Sequence, residues 1–423
     1  MPVPPAAPLP RGRPRLLGWL LVATACLLFL GVPLRTARGE PTADDRTLCQ
    51  KLLKDAIQRL VELEKSKDPA KAYAAIDLLD RAERLCPDDP EIAFNRALAW
   101  LLAGVEDKTR LEVTVLERKI AARAAMDGRP SAEAQNDPRL LYVQARIHYR
   151  FGNNPRLALT SLVRLHARNP QFMSGPVASL TFLCHLAYAN QLIYAKDSEE
   201  AIRQVQLALT YAGDDAARAD MARRNLAQIY RFAERWPESQ AVWEDLVKRY
   251  PGDAIMRYGL ASTLADQYKF EEACTQWKEV LRLAEVKGSV DPREADQLLD
   301  APLRYAVSLV HAGHVDEGKA RLLAEAKAHP DDRRVWHELG IAAMEQFDDP
   351  DHAVEWLEKA RSLDPWCETT LRSLLILYTG PRRDEGRAKA LQATLDSEVD
   401  KKARQVEMDR RRDRRPDRTN GCD

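Results

Sequence analysis

The sequence repeats itself in MARRNLAQIYRFAERWPESQAVWEDLVKRYPGD (residues 221–253) and IMRYGLASTLADQYKFEEACTQWKEVLRLAEVK (residues 255–287), which align without a gap at an offset of 34 residues. Trp243 coincides with Trp277 in this alignment. In each copy the apolar residues fall at helical spacing, in two groups separated by a short break. Each copy therefore predicts two helices joined by a turn, and a fixed period of this length is typical of a repeat protein.

Further copies of the pattern occur on both sides of this pair. One copy contains Trp336, Leu339, Gly340, Ala353, Leu357, Ala360 and Pro365. Partial copies end at Pro87, Pro170, Gly213 and Pro330. The pattern resembles the tetratricopeptide repeat, in which small residues let two helices approach, large residues fill the space toward the next hairpin, and a proline follows the second helix. The resemblance implies an all-α fold, a right-handed α-solenoid of about eight or nine helix-turn-helix hairpins.

Three segments are expected along the chain. Residues 1–39 combine three arginines within 1–15, an apolar run over 16–32 and a small-residue stretch, an order typical of a signal peptide or N-terminal transmembrane anchor. Residues 44–399 form the repeat array. Residues 400–423 form a charged, partly disordered C-terminal tail. Two turns between repeats, residues 127–138 and 286–295, are rich in Pro, Gly and charge, and are expected to be surface loops.

Both readings of the N-terminal segment place the repeats outside the cytoplasm, because positive charge precedes the apolar run. Cleavage after Gly39 would give a secreted or periplasmic protein. Without cleavage, the chain would be anchored by one N-terminal transmembrane helix, and residues 16–34 would be its only contact with the membrane.

Composition argues against a nucleic-acid partner and against a cysteine-based metal site or disulfide framework. The chain carries 64 basic and 64 acidic residues, so no global field directs it to nucleic acid. Its seven cysteines are scattered without a CxxC pair, which gives neither a zinc pattern nor a disulfide framework.

No catalytic motif accompanies the repeats. The sequence contains no phosphate-binding glycine loop, no GxSxG elbow and no HExxH helix. His311 and His314 lie at an expected hairpin turn, where ordinary turn residues account for them. We therefore expect no enzyme activity, no cofactor and no metal.

The resemblance implies a concave groove lined by the first helix of each hairpin. Mapped onto this sequence, the central repeats offer the candidate groove residues Asn190, Tyr194, Arg224, Asn225, Gln228, Arg231, Tyr258, Ser262 and Asp266. Asn190 and Asn225 resemble part of a clamp for peptide carboxylates. The basic positions of that clamp are instead occupied by Leu186, Ile255 and Gly259, so the resemblance to it is incomplete.

The expected function is that of a non-catalytic protein–protein interaction scaffold, which binds a protein or peptide partner of unknown identity in the groove. A structural alternative is a tethering component of the cell envelope that acts through self-association. A second alternative is an enzyme whose site the sequence does not reveal.

Overall fold

A computed structural model describes residues 41–66, 68–285 and 295–397. Within these ranges 82% of the residues are helical, no strand occurs, and consecutive helices pack in pairs. The all-α solenoid of hairpins expected from the repeats is confirmed. The chain forms two compact units, which meet in sequence between Ile147 and His148. The expected signal or anchor at 1–39 and the tail at 400–423 lie outside the described residues.

The described part of the first unit contains two packed hairpins, a short helix and the first part of another helix. Helix α1 (Ala43–Ser66) packs on α2 (Pro69–Leu85), and α3 (Pro90–Ala103) packs on α4 (Glu106–Met126). The expected loop at 127–138 contains a short helix, α5 (Ser131–Ala134), because Pro130 and Ser131 provide a helix start within it. The sequence boundary between the units falls within α6 (Pro138–Arg150).

The second unit is a longer series of hairpins. Its helices are α7 (Pro155–Arg168), α8 (Ser174–Tyr194), α9 (Ser198–Ala212), α10 (Ala216–Phe232), α11 (Trp236–Arg249), α12 (Ala254–Asp266), α13 (Phe270–Glu285), α14 (Ala301–His311), α15 (Val315–Ala328), α16 (Arg333–Glu345), α17 (Pro350–Leu363) and α18 (Glu368–Thr379). A 3₁₀ turn, Ala295–Leu298, precedes α14, and residues 385–397 are also helical. From α8 to α17 each even-numbered helix packs on the next to form a hairpin.

Local sequence sets the ends of these helices. Aspartates at N-caps, such as Asp89, Asp215 and Asp253, accept hydrogen bonds from backbone amides of the first turn. Proline stands in the first turn of several second helices, where the missing N–H costs nothing. Gly313 has a φ of 90° in the turn between α14 and α15, a conformation that glycine adopts without strain.

A charged junction joins the two hairpins of the first unit. We use this name for Asp80, Glu83, Arg96, Glu112 and Lys119. The guanidinium of Arg96 lies 3.0 Å from Asp80 and 2.9 Å from Glu112, and Lys119 lies 2.7 Å from Glu83. The Arg96 Nε and the nearest Glu112 oxygen are both buried. These two atoms are close, but they are not aligned as a hydrogen bond, so their attraction is mainly ionic. Burial raises the pKa of Glu112, and Arg96 opposes that rise.

An apolar junction holds α11, α12 and α13 together in the second unit. It is formed by Trp243, Gly259 and Trp277 with the buried aliphatic residues around them. The two indoles are 1% and 0% exposed. A Cβ on Gly259 would lie 2.4 Å from the Trp243 ring, so only glycine allows this approach between neighbouring hairpins. Gly340 has the same role within one hairpin, since its Cβ would lie 2.4 Å from Leu357 Cγ.

Candidate binding face

In the second unit, first helices lie side by side in two groups, α8 with α10 and α12, and α14 with α16 and α18. Helix α10 contacts both α8 and α12, and α16 contacts both α14 and α18. We call the surface formed by the outward residues of these first helices the A face. All nine candidate residues from the sequence lie on α8, α10 or α12. Their environments differ, and no observation tests them as ligand contacts, so their role stays a prediction.

Two aromatic side chains are left uncovered on adjacent first helices. Tyr194 ends α8 and is 90% exposed, and Phe232 ends α10 and is 65% exposed. Asn190 and Gln228, one turn earlier on the same two helices, are also exposed. Phe232 was not among the sequence candidates, although it occupies the repeat position that Tyr194 occupies one hairpin earlier.

Charged candidates on α10 and α12 are engaged with neighbours. Arg231 forms an ion pair with Asp266, which joins the two helices at this end of the A face. The Asn225 side-chain amide donates to the Met221 carbonyl of its own helix at 2.9 Å. Arg224 is half-buried and also has an interaction partner. These side chains therefore have defined positions before any partner arrives.

Tyr258 connects α12 to the start of α14. Its hydroxyl donates to Asp300 at 2.8 Å, and its ring meets the Trp277 indole edge to face at 5.1 Å. Arg304 donates to the same aspartate at 2.7 Å and places its guanidinium 5.7 Å from the centre of the tyrosine ring. Burial raises the pKa of Tyr258. The side chain supports the hairpin junction as well as forming part of the A face.

Ser262, on α12, is buried. Its side chain is 1% exposed, and its Oγ has no hydrogen-bond partner in the described protein. A ligand on the surface cannot reach it in this conformation, so we leave Ser262 out of the proposed contact set.

A narrow cleft of about 10 Å³ lies between α14 and α16. Val307, Val310 and Ile341 form its apolar wall, and Glu338 and Glu345 line it from positions two turns apart on α16. Burial raises the pKa of Glu338; Arg304 and Arg333 oppose the rise, and Glu345 adds to it. Neither glutamate was identified from the sequence, although both occupy groove positions of the repeat that begins at Arg333.

Other features of the described residues offer little chemistry. Within residues 41–66, 68–285 and 295–397, no group of three His, Cys, Asp or Glu side chains is placed to hold a metal. In the same ranges no helix has both the length and the apolar content to cross a membrane. Burial raises the pKa of Cys184 to about 12, so this thiol is a packing residue rather than a nucleophile.

Comparison with known proteins agrees with the hairpin geometry. Residues 224–284 and 304–365 match the sequence model of the tetratricopeptide repeat. In these two segments the chain is similar to tetratricopeptide repeats. No curated protein matches the sequence.

Several solved structures resemble the chain over part of its length. YrrB, described as having an unusual peptide-binding site, is 16% identical and covers 50% of this chain and 96% of its own, with a TM-score of 0.34. PilW, a type IV pilus biogenesis factor, is 15% identical and covers 51% and 92%, with a TM-score of 0.42. A protein from Parabacteroides merdae is 14% identical and covers 77% and 99%, with a TM-score of 0.37. Likenesses this weak decide nothing about a partner.

Proposed function

We propose that the second unit is a non-catalytic scaffold that binds a protein or peptide partner along the A face. One observation carries the proposal: Tyr194 and Phe232 are exposed at equivalent ends of the adjacent helices α8 and α10. Neither ring is used to stabilise the fold to any large extent, since most of its surface is open to water. An extended chain lying across the first helices would meet both.

Aromatic side chains are effective anchors for a partner. Each ring carries a large apolar area and loses few rotamers on binding, so its burial is worth more than that of a flexible polar residue. The nearby amides of Asn190 and Gln228 can bond the backbone of an extended peptide, because each offers both a donor and an acceptor. Aromatic anchors beside polar groups are the usual composition of a protein interface.

The A face is also organised in advance. The Arg231–Asp266 pair and the Tyr258–Asp300 hydrogen bond fix side chains that would otherwise lose entropy when a partner binds. A preformed surface reduces the ordering cost on the receptor side and leaves more of the contact energy as affinity. This supports binding, rather than catalysis, as the role of the repeats.

Substitution of the two exposed rings tests the proposal. Affinity capture from the cell's own envelope extract would compare the wild-type chain with the Tyr194→Ser, Phe232→Ser double variant. We expect a partner retained by the wild type to be lost, with at least a tenfold weaker Kd when that partner is purified, about the effect of removing an interface anchor. Val163→Ser is the matched control, since Val163 is 62% exposed on the second helix α7.

Tyr258→Ala is not a suitable variant for this test. That change would remove a ring packed on Trp277, so loss of binding could follow from loss of fold. Tyr258→Phe keeps the ring and removes only the hydroxyl. Retention of every partner by the Tyr194, Phe232 variant would contradict the proposal. Concentration-dependent self-association in sedimentation velocity, with no other partner, would favour the tethering alternative instead.

We also propose that the repeats act outside the cytoplasm. The support is the order of charge, apolar run and small residues over 1–39. A fusion of residues 1–45 to a reporter enzyme that is active only outside the cytoplasm tests this. We expect activity, and we expect a fusion without residues 1–39 to have none; equal inactivity of both would contradict the proposal.

A further inference from the structure

Two cysteines of the first unit lie beside one backbone carbonyl. Cys49 is on α1, and Cys86 is the residue at which α2 ends. The Cys49 thiol donates to the Ala82 carbonyl oxygen at 3.8 Å, and the backbone N–H of Cys86 donates to the same oxygen at 2.9 Å. The two cysteines are far apart in sequence, so it is the packing of α1 on α2 that brings them together.

The surroundings of Cys49 favour uncharged sulfur. Its side chain is 2% exposed in the apolar cluster between α1 and α2, and Cys86 packs against that cluster. Burial, then the neighbouring Cys86 thiol and the carboxylates of Asp89 and Glu83, raise the pKa of Cys49 to about 12. A thiolate at Cys49 is therefore costly, whereas a disulfide at the same place carries no charge.

Cys86 differs from Cys49 in its access to solvent. Its side chain is half-buried, so an oxidant can reach it in the folded chain. Cys184 on α8 and Cys274 on α13 are both buried, and burial raises the pKa of the first to about 12 and of the second to about 11. The fold therefore shields these two thiols and leaves Cys86 open.

We propose that Cys49 and Cys86 are a redox modification site, at which exchange with a disulfide oxidant links α1 covalently to the end of α2. A sulfur–sulfur bond of about 2.05 Å requires the Cys86 side chain to rotate toward Cys49, and its partial exposure allows this. In the cell the reaction depends on the oxidising surroundings that the proposed location outside the cytoplasm supplies. It does not depend on binding along the A face.

The link forms in two exchanges. In the first, Cys86 loses its proton, its sulfur attacks one sulfur of the oxidant, and the disulfide bond of the oxidant breaks to give a mixed disulfide and one protonated thiol. In the second, Cys49 loses its proton and attacks the Cys86 sulfur, which releases the other half of the oxidant as a second thiol. The two cysteines together give up two electrons and two protons, and the oxidant gains both.

The first hairpin is the part of the array where such a link has most to hold. Leu48, Ile57 and Val61 on α1 are exposed among the described residues, and the contacts of α1 are mainly with α2. A hairpin at the end of a repeat array packs on a neighbour on one side only and opens more readily than an inner one. A covalent link between α1 and α2 restricts the open state and should keep α1 in place.

Oxidised glutathione added to the reduced, purified whole chain tests the proposal. Free thiols are then blocked with N-ethylmaleimide, and the chain is digested with trypsin without reductant. We expect peptide 47–51, which contains Cys49, to appear linked to peptide 85–96, which contains Cys86, with the loss of two hydrogens. In urea this pairing should lose its preference over pairings with the other cysteines, because the folded helices no longer hold the two thiols together.

Single substitutions separate the two exchanges. In Cys49→Ala the reaction should stop at the mixed disulfide, so Cys86 should keep a glutathione adduct. In Cys86→Ser the buried Cys49 should stay reduced. Cys367→Ser, at a half-buried cysteine before α18, is the matched control and should link 47–51 to 85–96 as the wild type does. Circular dichroism would confirm that each variant is as helical as the wild type.

Hydrogen exchange measures what the link does to the hairpin. Peptides from α1 and α2 should exchange at least about tenfold more slowly in the oxidised wild type than in the reduced one. Peptides from α11 to α13 should be unchanged. Cys86→Ser treated with the same oxidant should show no slowing, which controls for oxidation elsewhere in the chain.

The outcomes distinguish this site from the proposed function. A glutathione adduct that persists on Cys86 in the folded wild type, or equal linkage of Cys86 to several cysteines, would overturn the site. A specific link that leaves exchange in α1 and α2 unchanged would overturn its role in holding the hairpin. Neither result bears on Tyr194 and Phe232, so the test of A-face binding stands separately.

Discussion

The charged junction of the first unit and the apolar junction of the second unit hold neighbouring hairpins together by different physical means. In the first, α2, α3 and α4 meet around three carboxylates and two cations. In the second, α11, α12 and α13 meet around two buried indoles and a glycine. One repeat architecture therefore tolerates either kind of contact. The two kinds should fail under different substitutions.

The largest effect is expected at Arg96. Arg96→Met removes the cation that faces Asp80 and Glu112 and leaves the buried Glu112 carboxylate without its ion-pair partner. We expect the free energy of unfolding of the charged junction to fall by about 3–5 kcal/mol, the cost of removing one partner of a buried ion pair. Hydrogen exchange of peptides from α2 to α4 measures this locally. Arg110→Met, at an exposed pair with Glu106, is the control and should cost below about 0.5 kcal/mol.

A smaller effect is expected at Gly259. Gly259→Ala brings a Cβ to within 2.4 Å of the Trp243 ring, which must move. We expect a net loss of about 1–3 kcal/mol, even though alanine favours a helix by about 1 kcal/mol. Exchange should accelerate in α11 to α13 and stay unchanged in α2 to α4. Gly252→Ala, with nothing within 4 Å of its Cβ, should have no such effect; equal losses at both glycines would contradict the steric account.

Glu112→Gln should leave the charged junction almost as stable as before, within about 1 kcal/mol. The change balances the charges, from three carboxylates and two cations to two of each.

The stability of the charged junction in the wild type should also depend on pH. Burial raises the pKa of Glu112 in the folded protein above its value in the unfolded chain. The free energy of unfolding is therefore highest below the unfolded pKa and falls as pH rises through the folded pKa.

Urea unfolding at a series of pH values, followed by exchange in α2 to α4, measures that dependence. The Glu112→Gln variant should lose this component, since it has no proton to exchange at that position. A pH profile identical to the wild type would show that Glu112 does not contribute to it.

The smallest effect is expected at Ser262 on α12. Its buried hydroxyl has no hydrogen-bond partner among the described residues, so Ser262→Ala should be neutral or raise the free energy of unfolding by up to about 1 kcal/mol. Peptide binding should be unaffected, because the side chain is 1% exposed. If Ser262→Ala instead lowered the free energy of unfolding, the hydroxyl would have to bond a group outside the described protein.

The repeat positions predicted the hairpins well because they record packing. Small residues such as Gly340 and large ones such as Trp243 must recur at fixed spacing for helices to cross, and the structure places them at those crossings. The short helix α5 was not predicted, since it interrupts a stretch rich in turn residues.

Side-chain partners were less predictable than helices. Arg231 and Asp266 are 35 residues apart, and their pairing depends on how two hairpins dock. Ser262 occupies a groove position in the repeat, but its side chain is buried. The charged junction has no sequence signature, because each of its members resembles an ordinary solvated residue of a helix. Glu338 and Glu345 could have been identified by extending the same repeat positions to α16.

The contact between Trp243 and Gly259 has a consequence for the order of the hairpins. Similar modules in one chain can dock on the wrong neighbour while they fold. The indole of Trp243 accepts only a partner helix that lacks a Cβ at this point. The hairpin of α14 and α15 has Arg304 at the equivalent position, so it cannot take the place of α12 and α13 beside α11. The steric match between Trp243 and Gly259 thus specifies which hairpin follows α11. In a rearranged array of hairpins, the one with Gly259 would still have to follow the one with Trp243.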